Sequence, residues 1–162
     1  PQEVIPDSIK SILKSDKWQL MLVGSEYPVA SDEVNNQISQ LNDIIKKYDS
    51  MCDELGIQYL KHTGENFRSS GHLYLTRIPR ITIEQRQEII IKLAELGVAT
   101  NVHYKPLPMM TAYKAYGWNI KDFPNAYEYF HNLITLPLHT CLSDEDVEYI
   151  IECFKTVVKE YI

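Results

Sequence analysis

The chain has 162 residues, 44% of them hydrophobic and 23% charged, with a net charge of −6 at pH 7. A chain of that length fits one domain, or one domain plus a tail, and buries roughly 70% of the surface its unfolded form exposes, so it needs no disulfide or metal staple. The acidic balance argues against a general nucleic-acid binder, which presents a basic face to phosphates, and no apolar run approaches the roughly 20 residues that span a bilayer.

Residues 1–30 differ from the rest. Pro1-Gln2-Glu3-Val4-Ile5-Pro6 lacks the basic and apolar regions of a signal peptide, and the expected compartment is the cytoplasm. A short amphipathic piece from Ser8 to Lys17 follows, then an apolar run, Leu20 to Val23, and a turn at Gly24. This stretch carries little that closes a core. A long helix is expected over 32–55, with Ser31 as N-cap and Asp32 and Glu33 at the positive end of the dipole. Its apolar residues Val34, Ile38, Leu41, Ile45, Tyr48, Cys52 and Leu55 recur at steps of three and four, and Gly56 is a natural C′ residue.

Ile57 to Leu60 reads as a short strand, and His72 to Ile78 is the best strand candidate, ended by Pro79. Thr82 and Gln85 form a T-x-x-Q capping box for the next helix, with Gly97 just past its end. A third strand is expected from Val98 to Tyr104. Lys105-Pro106-Leu107-Pro108 then breaks regular structure, because proline lacks the N–H and fixes φ. A short helix around Met110 to Tyr116 and another beginning near Pro124 follow, Pro being a good N1 residue. Leu133 to Leu138 is extended and contains Pro137, which makes it an edge strand or an ordered connection. The last helix starts at Ser143, with three acidic residues in its first turn and an apolar stripe from Val147 to Tyr161. Together the elements predict an α+β fold: a small, mostly antiparallel sheet covered by helices, with the long and the final helix on one face.

Familiar catalytic signatures are absent: no GxGxxG, GxxxxGK[ST], HExxH or GxSxG. The histidines lack metal-ligand spacing, so no metal is expected. Cys52, Cys141 and Cys153 are odd in number and form no CxxC; Cys52 and Cys153 fall on apolar stripes and read as core thiols. Lys46, Lys47, Lys92, Lys155 and Lys159 lie where a helix faces water, without the apolar surroundings that prepare a lysine for Schiff-base chemistry.

One segment stands apart. Thr100 to Pro108 combines strand formers, His103, Tyr104, Lys105 and two prolines. Prolines that stiffen a strand exit make it a good place to present those three side chains to a ligand. The same composition also describes a structured edge with a hydrogen-bonded histidine.

This segment resembles the DegT/DnrJ family of PLP-dependent sugar aminotransferases, whose members read GI-x-T-x-VHY-x-PLH where this chain has Gly97 to Pro108. The family's tyrosine, P-x-A and LPL-x-x-x-L-[ST]-x-E-D features match Tyr113, Pro124-Asn125-Ala126 and Leu136 to Asp146 in order, and Ser70-Gly71-His72-Leu73-Tyr74 looks like its S-x-HLY strand. The resemblance covers about residues 70–160 well and residues 18–45 loosely. Glu26 stands where the family has the asparagine that reaches the cofactor phosphate of the neighbouring subunit, and Pro28 where it has an arginine. A carboxylate at the first of these would repel phosphate.

The resemblance implies that residues 31–162 form the C-terminal small domain of a fold-type I aminotransferase. Residues 1–30 would be a remnant or linker from the end of the large domain. The parent would move an amino group to a nucleotide-linked keto sugar with pyridoxal phosphate (PLP) held on a lysine of that missing N-terminal domain, and would act as a homodimer. His103, Tyr104 and Lys105 would be its substrate contacts in this chain, with no catalytic residue and no cofactor expected in the chain alone. The competing expectation is a non-catalytic α+β module that binds a small metabolite or a partner.

Overall fold

The computed structural model describes residues 32–162; the expected remnant at 1–30 and the N-cap Ser31 lie outside the described residues. Helix α1 spans Asp32–Leu55, the range its periodicity predicts. Gly56 ends it at φ +66°, a left-handed conformation that costs glycine nothing. From Gln37 to Ile162 the chain forms one compact unit.

Strand β1 (Gln58–Tyr59) follows at once, then a hairpin of β2 (Thr63–Gly64) and β3 (Phe67–Arg68), and then β4 (Tyr74–Arg77). The hairpin was not legible in the sequence, because two-residue strands carry no measurable alternation. Helix α2 (Ile83–Glu95) begins on the expected capping box: Thr82 Oγ1 accepts from the Gln85 N–H, and the Gln85 side chain accepts from the Thr82 N–H. After two short helices, α3 (Thr111–Lys114) and α4 (Pro124–Phe130), come β5 (Leu133–Leu136) and the final helix α5 (Asp144–Val158). Helix α5 carries a second capping box, between Ser143 and Asp146.

The sheet has the order β1-β4-β5, antiparallel throughout. β5 sits at the edge and stops at Leu136, just before Pro137 removes a donor from the ladder. The register pairs Tyr74 with Leu136 and Thr76 with Ile134 on one face, and Leu75 with Thr135 and Arg77 with Leu133 on the other.

The first face is the core. Tyr74, Ile134 and Leu136 join one buried cluster with Tyr48 and Cys52 of α1, Ile89 and Leu93 of α2, and Val147, Phe154 and Val158 of α5. The long and final helices thus share one layer, as their stripes require. Lys47 bridges from α1 to Asp144 and Glu148, and Glu54 to Lys155, along the seam between them. Cys52 and Cys153 are buried, and burial pushes the Cys52 thiol up to about 12, so it behaves as an apolar filler.

The expected strand from Val98 to Tyr104 is corrected by the structure. Only an isolated bridge forms, between Asn101 and Thr135. The physical reason is local: the Asn101 side-chain oxygen takes the Val102 N–H at 2.7 Å, so that donor is lost to any ladder, and the prolines at 106 and 108 bar a continuation.

Candidate functional site

The second face of the sheet is only partly covered, with Leu133 and Thr135 buried and Leu75 and Arg77 half-buried, and the 97–108 segment lies along its β5 edge. Gly97 turns the chain out of α2 at φ +78°. Val98 then drops into the core, anchoring the start of the segment. At Asn101 the backbone docks on β5 through two bonds, Asn101 N–H to the Thr135 carbonyl (3.2 Å) and Thr135 N–H to the Asn101 carbonyl (2.7 Å). Two residues on, the His103 ring is half-buried with Nδ1 at 3.0 Å from Thr135 Oγ1. Pro106 leads into a 3₁₀ turn, Leu107–Met109, in which Pro108 is buried. The segment is therefore held at Val98, at the Asn101 bridge, at His103 and at Pro108.

The three residues singled out from the sequence take different positions. His103 lines a groove of about 170 Å³ together with His72, Leu73, Ala99, Asn101 and Thr135. Tyr104 is 66% exposed and meets the His103 ring edge to face, with centroids 4.7 Å apart and an interplanar angle of 80°. Lys105 is exposed beyond it. The arrangement offers hydrogen-bonding groups from His103 and Tyr104 and a cation from Lys105. Thr100, immediately before the bridge, leaves its hydroxyl oxygen enclosed and without a partner among the described residues.

Two members of this groove were missed in the sequence reading, Thr135 and His72. Thr135 did carry a signal. It is the one hydroxyl in the otherwise aliphatic strand Leu133–Leu136, and a buried polar group in an apolar strand needs a partner. Leaving such a donor unpaired costs about 1–3 kcal/mol.

A larger depression, about 830 Å³, lies on the same open face between Leu60, Leu75, Arg77, Tyr129 and Leu133. Size alone does not make it the chemical site. Its guanidinium is already committed: Arg77 Nε donates to Asn132 Oδ1 (3.1 Å), Nη2 donates to the Glu128 carbonyl (2.9 Å), and the group lies 4.2 Å from the Tyr129 ring centre. Its lining mixes apolar side chains, Ile57, Leu60 and Leu75 among them, with Asp53, Gln58 and Lys61. Exposed aromatics continue nearby in the sequence, with Tyr116, Trp118, Phe123 and Tyr127 all over 40% exposed.

Among the described residues no group of three or more His, Cys, Asp or Glu side chains could hold a metal ion, and no helix is long and apolar enough to cross a membrane. Lys47, Lys92 and Lys155 are held charged by carboxylate partners, Asp144 and Glu148, Glu160, and Glu54 respectively, which raise each ammonium above its ordinary value. A lysine that forms a Schiff base must instead become neutral. These three do not fit the lysine that PLP requires.

Comparison with known proteins gives one consistent answer. The sequence profile of the DegT/DnrJ/EryC1/StrS aminotransferase family matches residues 32–155. Spore coat polysaccharide biosynthesis protein SpsC of Bacillus subtilis is 28% identical over 134 residues, covering 76% of this chain and 34% of its own length. The PLP-form of Spr1654 from Streptococcus pneumoniae, described as a sugar aminotransferase, is 38% identical with a TM-score of 0.78, over all of this chain and 46% of its own. The aminotransferase TlmJ from Streptoalloteichus hindustanus is 25% identical with a TM-score of 0.69, over 80% of this chain and 34% of its own. The chain thus spans between a third and a half of the length of these relatives.

Proposed function

The chain belongs to the DegT/DnrJ/EryC1/StrS aminotransferase family, and from that premise we propose that it is the C-terminal small domain of a PLP-dependent enzyme that aminates a keto sugar carried on a nucleotide. The observation that carries this reading is an asymmetry of coverage. All of this chain aligns with the PLP-form of Spr1654, yet it accounts for only 46% of that protein. The remainder of such an enzyme is large enough to be the domain that holds the cofactor lysine. Lys47, Lys92 and Lys155, each engaged by a carboxylate, suit the same division of labour.

In this reading PLP, bound by the large domain, supplies the electron sink for moving an amino group. This chain's own residues do simpler work. His103 and Tyr104 offer hydrogen bonds to the sugar substrate, and Lys105 offers charge to an anionic part of it. The open sheet face, with Leu60, Leu75 and Tyr129, packs against the large domain or the partner protomer of a homodimer. Three free cysteines among the described residues suit a reducing cytoplasm.

The test has two halves. Mixed with PLP and reduced with borohydride, the chain alone should show no stoichiometric labelling of a single lysine. A polypeptide that adds a lysine-bearing large domain should be labelled once and should transfer an amino group from glutamate to a nucleotide-linked keto sugar. Stoichiometric labelling of one lysine in the 162-residue chain would overturn the proposal.

A further inference from the structure

Thr135 is 4% exposed, and its backbone N–H and carbonyl are both used by the Asn101 bridge. Its hydroxyl has a single partner among the described residues, His103 Nδ1 at 3.0 Å. A hydroxyl has one proton to give, and a neutral imidazole has one bare nitrogen and one N–H. Two arrangements satisfy the distance. If Nδ1–H donated to Thr135 Oγ1, the hydroxyl proton would be shut in with no acceptor. If the hydroxyl donates to a bare Nδ1, both the Thr135 hydroxyl and His103 Nδ1 are paired, and the ring proton lies on Nε2. Enclosed polar groups are paired in folded proteins, so the second arrangement prevails. Nε2 itself has no partner among the described residues, and it is not one of their enclosed unpaired atoms.

We propose that Thr135 is a positioning residue: it holds neutral His103 as the Nε2–H tautomer, so that His103 acts as a hydrogen-bond donor to an oxygen acceptor of the substrate. This rests on the reading that His103 faces the substrate, and it narrows that reading. A histidine whose second nitrogen already carries a proton cannot take one away. His103 therefore recognises an oxygen atom, and the general base of the reaction lies elsewhere. The Asn101 bridge makes the assignment specific, because it fixes the backbone two residues before the ring and so the height at which Nδ1 meets Oγ1.

Long-range nitrogen–proton NMR of the chain, recorded with His103 neutral, reads the tautomer directly. The expected result is a single Nε2–H form in the wild type and in Thr135→Ser, and a mixture in Thr135→Val. A wild-type signal from the Nδ1–H form, or from a mixture, overturns the proposal whatever His103 touches, and it needs no variant to fold. In the complete enzyme Thr135→Val should raise KM for one substrate about tenfold with kcat within about twofold, and Thr135→Ser should restore it. A rise for the amino donor identifies a carboxylate oxygen as the acceptor; a rise for the keto sugar identifies a sugar or phosphate oxygen. If His103→Ala impairs KM but Thr135→Val does not, the positioning role falls while the site reading stands. If the tautomer is fixed and His103→Ala leaves both KM values unchanged, the site reading falls, and the substrate half of this proposal falls with it.

Discussion

The two faces of the small sheet share four strand residues each across β4 and β5, yet they are used differently. On the helical face Tyr74, Thr76, Ile134 and Leu136 are all 2% exposed or less. Their polar atoms are absorbed internally: the Tyr74 hydroxyl donates to Asp49 Oδ1 at 2.7 Å, and Thr76 donates to the Ile134 carbonyl at 2.8 Å. On the open face Leu75 and Arg77 are only half-buried, while Leu133 is buried and Thr135 is covered by an irregular segment carrying His103. The helical face spends its sequence on packing. The open face leaves Leu75 and Arg77 part-exposed, as the proposed small domain of a larger enzyme would require.

The sharpest way to break that comparison is to delete a large side chain on each face. Phe154→Ala, on the helical face and fully buried, should destabilise the chain by about 3–5 kcal/mol. Leu75→Ala on the open face should cost about 1 kcal/mol or less. Urea melts of the two variants measure both. Equal losses would mean that the open face already packs as a core in this chain, and the proposed large-domain contact would lose its surface.

The next effect tests the boundary between the faces. His103→Ala strips Thr135 of the partner for its enclosed hydroxyl, so the chain should lose about 1–3 kcal/mol. The hydrogen-bonded-edge reading of this segment is thereby present in the structure, alongside an Nε2 without a partner among the described residues. One nitrogen serves the fold, and in the proposed reading the other serves the substrate. A loss below about 0.5 kcal/mol would show that water replaces the ring at no cost.

These faces were not equally legible in the sequence. The helical face was, because periodicity and capping are local codes. The 3–4 spacing from Val34 to Leu55 predicted α1 over its full length, and Thr82–Gln85 marked the start of α2 to the residue. The open face depended on contacts far apart in the chain. Nothing near His103 announces Thr135, 32 residues away. The third strand that did not form has a local cause instead. Its β-rich composition was read correctly, but the Asn101 side chain takes the Val102 N–H that a ladder would need, a competition that composition alone does not register.

Two smaller effects sharpen the account of the helical layer. Ser143→Ala removes the α5 capping-box oxygen and should cost about 1 kcal/mol by thermal or urea melt. Acidification should also weaken the layer through His62, which is buried, stacked on the Tyr74 ring and paired through Nδ1 with Ser69. Burial lowers its pKa below the ordinary 6.5, while nearby Asp49 partly opposes this. The unfolded chain therefore binds the proton more readily. Stability is fully present above about pH 6.5 and falls as pH drops from there toward the folded value. Asp49, whose carboxyl burial raises, acts with the opposite sign at lower pH. His62→Gln should flatten the near-neutral limb of a stability–pH curve and leave the Asp49 limb in place.

The smallest expected stability change lies at Lys105, and there the comparison between faces is most direct. The side chain is exposed on the open side and makes no hydrogen bond or ion pair with any described residue. A lysine kept for packing would lie against apolar surface along its stem, and one kept for stability would have a carboxylate partner, as Lys92 has in Glu160 at 2.6 Å. Lys105→Ala should therefore change stability by no more than about 0.5 kcal/mol, whereas Lys92→Ala should at least match it. In the complete enzyme the same Lys105 change should raise KM for the nucleotide-linked sugar, and the effect should shrink as salt is added, because an exposed charge acts over a screened distance. A salt-independent KM would remove Lys105 from the substrate contacts and leave His103 and Tyr104 to carry recognition at this edge.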